Sequence, residues 1–340
     1  MKITGYEIDL EKVVKTIKDN DYKRVLLQVP EGLKTHILKF IEFLESKTDA
    51  SVIIFADPCF GACDVLNYDL KNIDVDLIVQ IGHTSIPSIE KYSTPTLFVN
   101  TIADIDVSKC VEKAIPKLQG KKIGLVSTAQ HVRSLENVKI ILNENNFEPV
   151  IGKGDKRIEF KGQILGCNFS AANSITNNVD SYLFIGSGNF HPLGLMLSTK
   201  KPVITCDPYT NEVRGKELDD LKDMVLRQRY GAIARSKDAR IFGILIGIKL
   251  GQQRKRLAYE LKEKLDSKQK KSYIFALNHF SPSTIETFRD IDCFVSTACP
   301  RIPIDDYMQY KVPIITPVEL DIVLGFLKWD DYQFDEILGK

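Results

Sequence analysis

Long apolar runs are missing from this chain, and none approaches the roughly 20 residues that a bilayer span requires. The opening residues, Met1–Asp9, lack the apolar stretch of a secretory signal. A cytoplasmic location with no membrane partner is therefore expected. An excess of either charge is missing as well. The chain has 46 Lys and Arg against 45 Asp and Glu, a formal net charge of +1. No global basic field draws in nucleic acid, so no direct nucleic-acid contact is expected. The Lys-rich stretch Lys264–Lys271 has a solvated turn as its ordinary explanation. Low-complexity linkers are absent. So are the paired Cys-x2-Cys pattern of a zinc site and the Cys-x3-Cys-x2-Cys motif of the common radical enzymes.

What is present is the composition of an ordinary globular protein: 340 residues, 44% hydrophobic and 27% charged. That length exceeds a single core of about 250–300 residues, so two or three domains are expected. The 7 cysteines are Cys59, Cys63, Cys110, Cys167, Cys206, Cys293 and Cys299. In a reducing compartment they serve metal binding, catalysis or burial rather than disulfides. An odd number also argues against a complete disulfide framework.

Short apolar runs rich in β-branched residues, bounded by Gly, Pro and Asp, predict buried parallel strands. They fall in three sets of four. The first is Arg24–Pro30, Ser51–Asp57, Asp76–His83 and Thr96–Thr101. The second is Lys122–Ala129, Glu148–Gly154, Ser181–Ser187 and Pro202–Asp207. The third is Arg240–Gly247, Lys271–Leu277, Asp292–Thr297 and Val312–Thr316. Helical periodicity covers Leu33–Ser46, His131–Asn145 and Gln252–Leu265. The order and spacing of runs repeat, which predicts an α/β chain of three similar domains. Each is a four-stranded parallel sheet with flanking helices, and the three surround a pseudo-threefold axis. The expected divisions are 1–105 with Cys63, 106–210 with Cys167, and 211–340, a connecting helix followed by the third unit with Cys299. One large doubly wound sheet is the alternative.

Ligands in parallel α/β units bind beyond the carboxyl ends of strands. Cys63 and Cys167 each follow a second strand, and Cys299 follows a third. Three thiolates from three domains could hold three irons of a [4Fe–4S] cluster and leave the fourth open to substrate. Spacing alone equally allows buried or incidental thiols.

Several segments, in order along the chain, closely resemble the archaeal diphthamide-biosynthesis enzyme family. They are Pro30-Glu-Gly-Leu33, Gly61-Ala-Cys-Asp64, Ser127-Thr-Ala-Gln-His131, Gln163-Ile-Leu-Gly-Cys-Asn-Phe-Ser170, Ile185-Gly-Ser-Gly-Asn-Phe-His-Pro-Leu-Gly194, Asp207-Pro-Tyr209, Ala298-Cys-Pro-Arg-Ile-Pro-Ile-Asp-Asp-Tyr307 and Phe334-Asp-Glu-Ile-Leu338. The resemblance implies a homodimer and a [4Fe–4S] cluster held by Cys63, Cys167 and Cys299. It implies S-adenosylmethionine as cosubstrate and an external electron donor. The implied reaction moves a 3-amino-3-carboxypropyl group to a histidine imidazole carbon of elongation factor 2 by a radical route. 5′-Methylthioadenosine leaves, where the usual radical enzymes release a 5′-deoxyadenosyl group.

No catalytic side chain is expected beyond the cluster. Arg301 has a fork suited to the cosubstrate carboxylate, and Asp305 suits its ammonium or a ribose hydroxyl. An Arg301–Asp305 brace of the loop is the plainer reading. Gln252, at a helix start, and the Gly-rich turn with Ser187 and Gly188 are further cosubstrate candidates. Cys59 shares the Cys63 loop, but a fourth thiolate would close the open iron, so it is given no ligand role. His131 and His191 are treated as structural, and Cys110, Cys206 and Cys293 as buried thiols. Two rival functions remain: an iron–sulfur dehydratase resembling quinolinate synthase, and a structural or electron-delivery partner subunit.

Overall fold

The computed structural model describes residues 1–3, 5–65, 70–88 and 92–339. Three parallel sheets organise it. The first contains strands β3 (Arg24–Gln28), β4 (Ser51–Ile54), β5 (Leu77–Ile81) and β6 (Thr96–Val99), in the order β4-β3-β5-β6. The second contains β8 (Lys122–Ser127), β9 (Glu148–Val150), β10 (Ser181–Ile185), β11 (Val203–Asp207) and β12 (Glu212–Arg214), in the order β12-β11-β10-β8-β9. The third contains β13 (Ile241–Gly247), β14 (Lys271–Leu277), β15 (Cys293–Ser296) and β16 (Ile314–Ile315), in the order β14-β13-β15-β16. In each sheet the first strand lies between the second and third, with the fourth outside the third. The strand order therefore reverses at the same place three times, which opens a crevice at the carboxyl end of each sheet.

The expected α/β class holds, with two differences. The second sheet has a fifth, antiparallel strand, β12, paired Thr205↔Arg214 on β11. A separate antiparallel sheet joins β1 (Lys2–Ile3), β2 (Tyr6–Ile8) and β7 (Thr101–Ala103). These short pieces lack the continuous apolar runs that mark buried parallel strands.

One polar contact recurs in all three sheets. An aspartate just ahead of the third strand accepts two backbone N–H bonds at the start of the first. Asp76 takes Lys23 and Arg24 at 2.9 and 2.8 Å, Asp180 takes Lys121 and Lys122 at 2.8 and 2.9 Å, and Asp292 takes Arg240 and Ile241 at 2.9 Å each. The carboxylate satisfies N–H groups that would otherwise begin the strand unpaired, and it ties the first and third strands together at their amino ends.

Helices cover both faces of the sheets, so β5, β10 and β11 are buried along their whole length. The helix Leu10–Asn20 shows why these segments are helical. Asp9 caps it by accepting from Lys12 N at 3.1 Å, and Leu10, Val13, Val14 and Ile17 recur at helical spacing to meet the first core. The helix Lys216–Ser236 runs between the second and third sheets. Arg229 on it is fully buried. It forks onto Glu319 at 2.8 and 2.6 Å and donates to the carbonyls of Pro303 and Ile314 at 2.6 and 2.8 Å.

Candidate metal centre

The loops after β4, β9 and β15 carry Cys63, Cys167 and Cys299, each partly buried. Cys63 lies in the tight turn Ala62–Asp64. Asp64 anchors that turn: its carboxylate takes Phe60 N at 3.1 Å and the ammonium of Lys249, and its carbonyl takes Gln28 Nε2 at 3.1 Å. Gly251 presses on the same turn from the third unit. A Cβ there would lie 2.2 Å from Cys63 Cα, so only glycine allows this approach.

The Cys167 loop is flanked by Gly166, where a Cβ would fall 1.9 Å from the Phe190 ring. The Arg301 guanidinium lies over that ring, 3.8 Å from its centroid. A stack from Gly166 through Phe190 to Arg301 thus connects the second cysteine loop to the third. Cys299 leads into the helix Arg301–Asp305, its carbonyl accepting from Ile302 N at 3.2 Å.

Burial raises all three thiols, and charge couples them. Burial pushes the Cys63 thiol up to about 12, with Cys167 and Asp64 adding to the rise. Burial also raises Cys299, reinforced by Cys167 and then Cys63. Cys167 is raised by burial, against the pull of Arg157, by charge and by hydrogen bond, and of Arg254. Two guanidinium groups face this region with unsatisfied donors. Arg157 Nε and Arg301 Nη1 are buried without a hydrogen-bond partner among the described residues.

Among the described residues, no three His, Cys, Asp or Glu side chains are gathered closely enough to hold a single metal ion. Zinc would need its sulfurs at about 2.3 Å from one centre. A donor set of three thiols with the Arg157 and Arg254 cations close by suits an iron–sulfur group of negative net charge.

The other expected residues divide. Gln252 is buried and donates toward Cys63 Sγ at 3.6 Å. Arg301 and Asp305 form a two-point pair at 2.6 and 2.8 Å, the brace that the sequence allowed. Ser187 and Gly188 are exposed in the turn before the helix Phe190–Thr199, and the Gly188 carbonyl accepts from Arg214 at 3.2 Å. Cys59 is buried and takes Gln80 Nε2 at 3.1 Å. Cys293 is core, hydrogen-bonded to Ser236 Oγ at 3.3 Å. Cys110 and Cys206 are both buried, as expected, and lie side by side with Cα atoms 5.6 Å apart. The helix Ser108–Ala114 lies on β11 and brings them together. Arg157, Arg254 and Gly251 were not singled out as cluster neighbours, because their role depends on contacts between distant thirds of the chain.

Residues 29–333 match the model of the diphthamide synthesis protein family. The chain belongs to that family. A Pyrococcus horikoshii protein named 2-(3-amino-3-carboxypropyl)histidine synthase is 35% identical, over 98% of this chain and 94% of its own. A Methanocaldococcus jannaschii protein of the same name is 29% identical, with coverage of 98% and 94%. A crystal structure of the Pyrococcus horikoshii protein with a 4Fe-4S cluster superposes with a TM-score of 0.89, at 35% identity and the same coverage. The expected family, and the expectation of an enzyme, both hold. No described helix is long and apolar enough to cross a membrane.

Proposed function

We propose that the chain transfers the 3-amino-3-carboxypropyl group of S-adenosylmethionine to a histidine imidazole carbon of elongation factor 2, the first step of diphthamide biosynthesis. The observation that carries this reading is the approach of Cys63, Cys167 and Cys299 from three separate sheets, in a chain of this family. The sulfonium bond to the aminocarboxypropyl γ-carbon breaks, and a bond from that carbon to the imidazole carbon forms. 5′-Methylthioadenosine and one proton leave, so the net reaction consumes no electrons.

The three cysteines would hold three irons of a [4Fe–4S] cluster. Such a cluster, when bound, supplies an electron and one iron free of protein ligands. The side chains around it bind, orient and exclude water. Arg301 keeps Nη1 free while Asp305 occupies the rest of its fork, so a cosubstrate carboxylate has a donor waiting. Asp305 remains the candidate for an ammonium or hydroxyl group. Gln252 bears on the cluster side through Cys63, and the exposed turn of Ser187 and Gly188 is left to the nucleoside part. We assign three units to 1–105, 106–210 and 211–340. A cytoplasmic homodimer served by an external electron donor completes the proposal.

The test is an anaerobic assay with elongation factor 2 and S-adenosylmethionine. Cys63→Ala, Cys167→Ala and Cys299→Ala should each lose iron and transfer, while Cys293→Ala keeps both. Full transfer by Cys167→Ala would defeat the ligand assignment. Transfer without methylthioadenosine release would defeat the reaction.

A further inference from the structure

The segment 334–339 lies across the Cys167 loop and is bound to it at almost every residue. Ile337 N donates to the Cys167 carbonyl at 2.8 Å, and the Ile337 carbonyl takes Asn168 Nδ2 at 3.0 Å. Glu336 accepts from Phe169 N at 2.7 Å, Asn173 at 2.8 Å and Ser198 at 2.6 Å. Gly339 N donates to Asp155 at 2.7 Å, and the Phe334 ring meets Phe169 edge-on at 5.5 Å.

Of the two residues left, Leu338 is exposed and Asp335 faces elsewhere. Asp335, 7% exposed, forms a two-point pair with Arg254 at 2.7 and 2.6 Å. The same guanidinium donates to the carbonyls of Thr297 and Ala298 at 2.7 and 3.2 Å, directly before Cys299. The short backbone from Asp335 to Ile337, hydrogen-bonded at one end to the Cys167 loop and at the other to Arg254, therefore connects the backbone of one cysteine loop to that of another. Arg254 also closes the stretch Lys249–Arg254, which holds the Cys63 loop through Gly251, Gln252 and the Lys249–Asp64 pair.

We infer that Arg254 and Asp335 are positioning residues that fix the spacing of the Cys167 and Cys299 loops. Neither touches a sulfur by hydrogen bond in this arrangement. They act through the carbonyl groups that precede Cys299 and through the segment that covers Cys167. The planar fork of Arg254 suits this task because it makes four bonds in one plane, which a lysine cannot reproduce. The inference rests on the iron–sulfur reading above.

The test compares Asp335→Asn and Arg254→Lys with Asp321→Asn, which weakens the Lys264–Asp321 pair between two helices of the third unit. Each protein is reconstituted anaerobically with iron and sulfide. Iron per chain, iron release to a chelator, the electron paramagnetic resonance spectrum and the metal-free unfolding midpoint are measured. Asp335→Asn and Arg254→Lys should take up less iron, release it about tenfold faster and change the spectrum. Asp321→Asn should do none of these, even where its midpoint falls as far. Uptake, release and spectrum equal to wild type in both variants would overturn the inference. Iron loss that tracks the unfolding midpoint across all three would overturn it too. Wild-type iron in Cys167→Ala would sink the cluster assignment instead. Should Asp335→Asn not fold, the milder Arg254→Lys decides alone.

Discussion

His131 follows β8 and is 4% exposed, and burial lowers its pKa from 6.5 to about 4 against a smaller opposing pull from Asp207. The unfolded chain takes up that proton earlier as pH falls. Stability linked to His131 is therefore intact above about 6.5 and is lost as pH drops through about 4. Urea midpoints at pH 7 and pH 5 should fall further for wild type than for His131→Gln; an equal fall in both would contradict this. At this scale the sequence disclosed that Cys63, Cys167 and Cys299 follow strands of three different sheets, which the structure bears out. It did not disclose Gly251, whose meaning is a contact with Cys63. Nor did it disclose Arg157 or Arg254, which look like ordinary surface cations until the loops around them are folded.

The helix Lys216–Ser236 carries one fully buried ion pair into the third unit, beside the apolar contacts of Ala232 and Ile233. Arg229 and Glu319 both have fully buried side chains, and Glu319 also closes the capping box at Thr316. Removing one partner strands a charge away from water. Glu319→Gln should therefore cost about 3–5 kcal/mol by denaturant unfolding. An Arg229→Met, Glu319→Leu double variant should recover most of it, because the loss lies chiefly in the uncompensated charge. A double variant weaker than either single one would refute that account. The parallel strands were legible as apolar runs, most plainly β5, β10, β11 and β15, which are buried along their whole length. Strand β12 was not, since Glu212 is exposed and Val213 and Arg214 are only half-buried. The aspartates heading the third strands were visible as residues, but their shared bond pattern needed the register.

At the scale of the molecule, three sheets of matching strand order meet through their cysteine loops. A group bound to all three in the folded state and to none in the unfolded chain stabilises by mass action, by about 2.7 kcal/mol at a hundredfold excess over Kd. Anaerobic reconstitution should accordingly raise the thermal midpoint of wild type and leave that of Cys63→Ala unchanged. A rise of equal size in both would show the metal to be bound elsewhere. The threefold plan was legible in the recurrence of apolar runs. The relative placement of the three sheets was not, because no local pattern encodes a contact between thirds of a polypeptide.

The stretch Lys249–Arg254 lies against Cys63, supports the approach to Cys299 and reaches the cover of Cys167 through Asp335. A cut between the second and third sheets would leave two thiols on one fragment and this stretch on the other. On the iron–sulfur reading neither fragment alone would carry all three proposed ligands, so with iron and sulfide supplied, reassembly of the two could be followed by eye, as brown colour growing in a colourless mixture.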